Sequence, residues 1–412
     1  MNVELRGSSA HHIPPMKAIH KQWWHCSLVF AILPALAAFS LPAQAQTLTV
    51  LYSFTGGADG IGQSSVILDA AGNFYGTMVV GGSSVCNYGC GTLFKVDSTG
   101  TFTILYSFTG KAGAYPVANL IRDAAGNLYG TAFEGGTFGI HDCPKGCGTV
   151  FRLDTADNIT VLHSFINTDG SLPESNLIRD SAGNVYGTTE YGGTAFSGTV
   201  FKIDPTGRET VLYSFPTRGP LGVEPAVGVI RDAAGNLYGT TQRGGNITCG
   251  CGAILKLDAN GNASALHTFA GTPDGTFGSA LVMDSEGNLY GTAIEGGAFD
   301  EGTLFKLDKT SGFTVLHNFG STSGDGVYPT QAGLTRDGAG NLYGVTHDGG
   351  EFSLGTVFEY DATGTMTTLY SFTTADGGYP NGGVTLDAAG NLYGTTSSYG
   401  ALGYGSLYEI TH

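Results

Sequence analysis

Charge is scarce in this sequence, and positive charge is scarcest. Lys and Arg number 18 against 34 Asp and Glu, and charged residues make up only 13% of the chain. Nucleic acid and anionic membrane need a basic footprint, so both are excluded as expected partners. Sparse charge beside 41% apolar residues also excludes disorder, which needs the reverse balance. Helical periodicity is missing outside the N-terminal stretch. Also missing are a Gly-x-Ser-x-Gly elbow, a His-Glu-x-x-His pair and a phosphate loop, so the common hydrolase, metalloprotease and nucleotide chemistries lack their signatures.

There is one long apolar region, from Cys26 to Leu41, broken only by Ser27, Pro34 and Ser40. It follows Lys17 and Lys21 and precedes the small-x-small triplet Ala43-Gln44-Ala45. That order reads as a signal peptide over residues 1–45, with Met16 as an alternative start and Gln46 as the first mature residue. The run is short for a membrane span and no stop-transfer pattern follows it, so the mature chain is expected to lack a transmembrane segment. It is expected to be secreted, periplasmic or held at the cell surface. Removing Arg6, Lys17, Lys21 and Glu4 with the leader leaves 15 basic and 33 acidic residues, a formal charge of −18.

What is abundant is glycine, 67 residues, and much of it falls in a repeat. The motif Gly-Asn-apolar-Tyr-Gly occurs seven times, with its Asn at positions 73, 127, 184, 236, 288, 341 and 391. Successive spacings are 54, 57, 52, 52, 53 and 50 residues. Each unit carries four short runs rich in β-branched and aromatic residues and bounded by turn residues, which read as strands. In the fourth unit, strand 1 is Gly228-Val229-Ile230-Arg231 and strand 2 is Asn236-Leu237-Tyr238-Gly239. Strand 3 has the pattern of Gly198-Thr199-Val200-Phe201-Lys202, and strand 4 that of Thr210-Val211-Leu212-Tyr213-Ser214-Phe215. Four-stranded units of about fifty residues predict a β-propeller of seven blades in one domain, residues 46–412. The mature chain opens on an orphan strand 4 (Leu48 to Phe54) and ends on strands 1 to 3 (Gly383 to Ile410). Pairing these fragments completes one blade and closes the ring, so a monomer is the expected state.

The Asp-x-x-Gly-Asn sequence between strands 1 and 2 reads as a turn, with Asp capping it and Gly in the left-handed conformation. One carboxylate per turn is too few for calcium. The Gly after each Tyr is expected to admit an adjacent sheet. Arg122, Arg179, Arg231 and Arg336 precede the turn Asp and are read as making a local carboxylate contact, in preference to a basic ring at one end of the channel. The six mature cysteines form three close pairs: Cys86 with Cys90, Cys143 with Cys147, and Cys249 with Cys251. Each pair falls at the same repeat position in a different blade. An even count in an exported chain therefore reads as three disulfides and not one metal site.

In a propeller the variable loops of one face hold the ligand. Here that face carries the loops from strand 2 to 3 and from strand 4 to the next strand 1. The residue before the Gly-Gly pair of the first set varies: Val80, Glu134, Tyr191, Arg243, Glu295 and Asp348, with Tyr399 at the matching place in the last unit. Acids, tyrosines and an arginine on one rim suit a glycan or protein ligand. The second set adds Asp59, Tyr115, Asp169, Glu224, Asp274, Asp325, Tyr328, Asp376 and Tyr379, several of them turn formers. No cofactor is expected, although Ca²⁺ drawn to this acidic face is a further candidate. His163, His267 and His317 replace a structural Tyr on strand 4. His141 and His347, in strand 2–3 loops, are the candidate catalytic histidines.

The combination of Gly-Thr-Val-Phe-Lys-Ile-Asp, Thr-Val-Leu-Tyr-Ser-Phe and Asp-Ala-Ala-Gly-Asn-Leu-Tyr-Gly-Thr-Thr resembles the GloVer tandem repeat of exported, choice-of-anchor bacterial repeat proteins. The resemblance covers Leu48 to Ile410. It implies export and a propeller-like repeat, and it carries no established activity and therefore no catalytic residues. Members often end in an anchoring segment, whereas this sequence stops at His412 just after its last strand. The leading functional reading is an exported binding module. Its rivals are an extracellular polysaccharide- or lactone-active enzyme with acids such as Glu134 and Glu295 at the channel mouth, and a structural cell-surface component.

Overall fold

The computed structural model describes residues 46–411 apart from 140, 141, 226, 247 and 311. The expected signal peptide, residues 1–45 with Met16 and Cys26, and the candidate His141 lie outside the described residues. The described chain is all β, in seven small antiparallel sheets arranged as a closed seven-bladed propeller. Blade 3 shows the plan. Strand 1 is Ile178–Arg179, strand 2 Val185–Thr189, strand 3 Thr199–Ile203 and strand 4 Glu209–Ser214, hydrogen-bonded in that order. Strand 1 faces the channel and strand 4 forms the outer edge. We number blades 1 to 7 by the order of their strand 2–3 hairpins, so that blade 7 holds both chain ends.

Closure follows the expected pairing. The N-terminal strand Thr47–Ser53 runs antiparallel to Ser406–Thr411, in register from Thr47 opposite Thr411 to Ser53 opposite Ser406. It supplies the fourth strand of blade 7, beside Leu392–Thr395 and Thr385–Leu386. Blade 7 is also bonded to blade 1, because Gly383 N–H donates to Ser65 Oγ at 2.6 Å and Thr395 Oγ1 donates to the Ser64 carbonyl at 3.0 Å.

The blades cohere through one aromatic per seam. The Phe that ends each strand 4 is buried in all seven cases: Phe54, Phe108, Phe165, Phe215, Phe269, Phe319 and Phe372 are 0–1% exposed. It packs edge-on against the strand 3 aromatic of the next blade. Examples are Phe108 on Phe151 and Phe319 on Phe358, both with centroids 5.2 Å apart, and Phe372 on Tyr408 at 5.0 Å. In blade 4 that place is Leu255, which packs in one cluster with Phe215. In six of the seven blades the glycine after the tyrosine makes room for this same strand 3 ring; in blade 4 Gly239 lies instead against Gly228 and Val229 of its own strand 1. The glycine does not admit an adjacent sheet, as the sequence suggested. Gly344 lies opposite Phe358 in the ladder, and a Cβ there would sit 2.5 Å from the ring.

The turn between strands 1 and 2 is structural. In blade 4, Asp232 Oδ1 accepts from Asn236 N–H at 2.8 Å, and Oδ2 accepts from Asn236 Nδ2 at 2.6 Å and from Tyr238 Oη at 3.1 Å. The same Tyr-to-Asp bond recurs in the other six blades. Burial alone would raise the Asp232 carboxyl, but these donors outweigh it and hold it below its ordinary value. Among the described residues, three of the arginines before the turn make an aromatic contact in place of the expected carboxylate one. Arg122, Arg179 and Arg231 stand 5.6–5.9 Å over the rings of Tyr75, Tyr129 and Tyr186 in the preceding blade, as cation–π pairs across three seams.

Candidate binding face

The loop face is more rigid than its glycine content suggests. Each strand 4–1 loop turns back and pairs with the start of the strand 2–3 loop of its own blade. Ala114 bridges Glu134, Ser171 bridges Tyr191, and Val223 bridges Arg243. In blades 5 and 6 the pairing extends into short strands, with Thr276 opposite Glu295 and Val327 opposite Asp348. The candidate side chains are therefore mounted on ladder positions. In blades 2, 3, 4, 6 and 7 the residue before the loop proline is left-handed: Tyr115, Leu172, Glu224, Tyr328 and Tyr379 have φ of 54–60°. Its N–H reaches a carbonyl of the preceding blade, as Leu172 does to Cys147 at 2.8 Å and Tyr379 to Leu354 at 2.8 Å. The aspartates of the same loops turn inward to cap backbone. Asp169 accepts from Ile166 N–H, Asp274 from Ala270 N–H and Asp376 from Thr373 N–H, all at 2.8–2.9 Å.

The disulfides Cys86–Cys90, Cys143–Cys147 and Cys249–Cys251 all form, tying the strand 2–3 loops of blades 1, 2 and 4.

Four of the six rim candidates fall in two pairs around the ring instead of all six converging on one point. Glu134 and Tyr191 share a cavity of about 620 Å³ at the seam of blades 2 and 3, with Asp142, Lys145, Asn167, Ser171 and Phe196. Lys145 Nζ lies 3.6 Å from Glu134 Oε2, and Asn167 Nδ2 donates to Asp142 at 3.0 Å. Burial, and then the bond to Glu190, push the Tyr191 hydroxyl up to about 12, so it stays a neutral donor. Glu295 and Asp348 share a cavity of about 510 Å³ at the equivalent seam of blades 5 and 6, with Tyr328, Gln331, His347 and Asn381. His347 Nδ1 lies 2.6 Å from Asp348 Oδ2, and its ring stacks on Tyr379 at 5.1 Å. Arg243 pairs with Glu224 at 3.2 Å.

Tyr399 does not occupy the place given to it. Ser398 bridges Gly378 as Tyr191 bridges Ser171, so Ser398 is the true counterpart. Tyr399 stands where the first Gly of the Gly-Gly pair falls in other units, at φ 60°, and its ring lies 5.8 Å from Tyr379.

The mouth of the channel holds residues that the rim pattern misses. Ser64, Asn119, Glu174, Asn176, Gln331 and Asn381, from five blades, line a polar cavity of about 210 Å³. Asn side chains stitch its wall, since Ser65 N–H donates to Asn119 Oδ1 and Asn119 N–H to Asn176 Oδ1, at 3.0 and 3.1 Å. Burial, and then the Glu190 carboxylate, push the Glu174 carboxyl up to about 7. Glu190 is itself raised by burial, and Glu224 adds to the effect. The only sequence signal for Glu174 is that an acid replaces Val117 of the previous unit.

A carboxyl raised on folding stabilises the fold fully below its unfolded value, and that stability is lost as pH rises through the folded value. For Glu174 the window runs from 4.5 to about 7, a difference of about 3 kcal/mol at most. Glu174→Gln is therefore expected to raise the melting temperature at pH 8 and to leave it nearly unchanged at pH 4.5. Equal effects at the two pH values would contradict this placement.

These features define a repeat-built β-propeller whose polar and aromatic residues gather at seams on one face. The chain belongs to the Gloeobacter/Verrucomicrobia repeat family, whose model matches residues 37–178, 87–277, 141–338 and 322–412. No curated protein matches the sequence. Among solved structures it is similar to the extracellular domains of two proteins described as hybrid two-component systems of B. thetaiotaomicron. Each superposes with a TM-score of 0.57, at 14% and 12% identity, over 89% and 88% of this chain. This chain spans only 41% and 39% of those chains, so the likeness shows the propeller fold alone. A gluconolactonase of Xanthomonas campestris superposes with a TM-score of 0.43 at 14% identity over 89% of each chain, too loosely to carry an inference. Among the described residues, no helix is long and apolar enough to cross a membrane.

Proposed function

We propose that this protein is an exported glycan-binding propeller that holds its ligand in seam cavities of the loop face. The observation that carries the reading is the blade 2–3 cavity. It combines a carboxylate, an amide and a hydroxyl (Glu134, Asn167, Ser171) with two exposed rings, Tyr191 at 37% and Phe196 at 60%. Acceptors and donors at fixed ladder positions suit sugar hydroxyls, and aromatic faces suit the apolar side of a pyranose. Phe196 has counterparts in Phe138, Phe299, Phe352 and Leu402, all more than half exposed on the strand 2–3 loops. Rings left in water on so many blades favour a face that meets an extended ligand. Three disulfides fit an oxidising compartment, which supports export.

The test is a titration of residues 46–412 against soluble polysaccharides. At least one should bind, and Tyr191→Ala with Phe196→Ala should weaken it by about tenfold or more, since each ring contact is worth roughly 1 kcal/mol. Binding unchanged by the double variant, or binding to proteins alone, would overturn the reading.

A second reading, an enzyme acting at the channel mouth, is favoured by Glu174, whose proton is exchangeable near neutral pH. It requires turnover of a bound polysaccharide or lactone that Glu174→Gln abolishes without loss of binding.

A further inference from the structure

The outer strands carry a second repeated contact, away from the loop face. The penultimate residue of each strand 4 is Tyr52, Tyr106, His163, Tyr213, His267, His317 or Tyr370, and it points toward the residue near the start of the next blade's strand 4, four places before that strand's own penultimate residue. In chain order from the closing strand, those residues near the start are Leu48, Phe102, Ile159, Glu209, Ala263, Phe313 and Met366. Tyr52 stacks on Phe102 with centroids 4.9 Å apart, and His267 on Phe313 at 3.8 Å. Tyr106 with Ile159, Tyr213 with Ala263 and Tyr370 with Leu48 share apolar clusters. Six of the seven slots are filled by an apolar residue. The seventh holds Glu209.

Glu209 faces His163, and this seam is built differently from the others. His163 Nε2 lies 3.0 Å from Asp169 Oδ2. The same His–Asp pair occurs at His267–Asp274 and His317–Asp325, at 2.8 and 2.9 Å, so the pair alone is part of the frame. The added element is a second carboxylate. Donor atoms of His163, Asp169 and Glu209 lie within 4.8 Å of one another. Glu209 Oε1 is buried and has no hydrogen-bond partner among the described residues. A buried carboxylate oxygen without a donor, set beside another carboxylate, is unfavourable unless a proton or a cation is held between them.

We propose that His163, Asp169 and Glu209 bind one divalent transition-metal cation at the outer seam of blades 2 and 3. The donor set is one imidazole nitrogen and two carboxylate oxygens, with a position left for water. That composition suits zinc-type cations. It offers too few oxygens for calcium, which takes six to eight. A cation about 2.1 Å from each donor needs donors about 3.4 Å apart. The His–Asp pair, at 3.0 Å, opens by about 0.4 Å and gives up its shared proton to the cation, and Glu209, whose donor lies within 4.8 Å of theirs, closes by about 1.4 Å at most. This inference does not rest on the glycan reading.

The test is calorimetric titration of untagged, chelator-treated protein (residues 46–412) with Zn²⁺, alongside melting curves with and without the metal. One Zn²⁺ per chain should bind and raise the melting temperature. Glu209→Gln should weaken binding by at least about tenfold, the range that even outer-shell partners of a metal cost. Glu209→Phe should do the same while folding normally, because Phe already fills the equivalent slot at positions 102 and 313. Absence of Zn²⁺ uptake, uptake unchanged in both variants, or a response to Ca²⁺ in place of Zn²⁺ would each overturn the assignment.

Discussion

Deleting residues 46–56 is expected to abolish the cooperative melting transition of the mature chain. The deletion removes the fourth strand of blade 7, which pairs with Ser406–Thr411 along its whole length. It also removes Phe54, fully buried against Phe94 of blade 1 with centroids 5.8 Å apart. Loss of a buried Phe alone costs about 3–5 kcal/mol, and the exposed edge of strand 3 adds to it. A domain has roughly 5–15 kcal/mol in total. In an open solenoid the same cut would trim one terminal unit and leave the rest folded. Circular dichroism and calorimetry of the deletion variant distinguish the two cases. A melting temperature equal to that of the full mature chain would contradict closure.

Phe319→Ala is expected to destabilise the protein by about 3–5 kcal/mol, the usual cost of emptying a buried aromatic site. Phe319 is 1% exposed and packs with Leu304, Leu334, Leu342 and Phe358, joining blade 5 to blade 6. The site cannot collapse easily, because the ladders on both sides hold the sheets apart. Denaturant unfolding should show a lower midpoint with an unchanged slope. A loss below about 1 kcal/mol would mean that the seams are not held by these rings.

The two variants test the part of the molecule most legible in its sequence. The repeat, the four strands, the closing fragments and the Asp–Asn–Tyr turn depend on local chemistry, and local chemistry recurs at a fixed period. What the sequence concealed depends on which residue faces which across a sheet or a seam. Gly344 shows no sign that Phe358, fourteen residues on, fills the space above it. Arg231 sits beside an Asp in sequence but over Tyr186 of another blade in space. Tyr399 was displaced by one because Ser398 and Tyr399 stand where other units have a variable residue and a Gly, and only the bridge to Gly378 sets the register. Glu174 escaped notice because the position after the loop proline holds unrelated residues in different units, Val117, Glu174, Thr330 and Asn381, so nothing in the repeat marks it as part of the channel mouth. Of the rim residues, the seam pairs Glu134 with Tyr191 and Glu295 with Asp348, a grouping that depends on the curvature of the ring.

The most direct test of the central claim, ligand held at the blade 2–3 seam, is hydrogen exchange of the mature protein with and without the polysaccharide that binds it. Slowed exchange should concentrate at residues 134, 142–146, 167–172 and 191–196, which line that cavity. The equivalent seam of blades 5 and 6 should follow to a lesser degree. Protection confined to the opposite face, around Asp69 and Asp387, or confined to the channel mouth around Glu174, would contradict it.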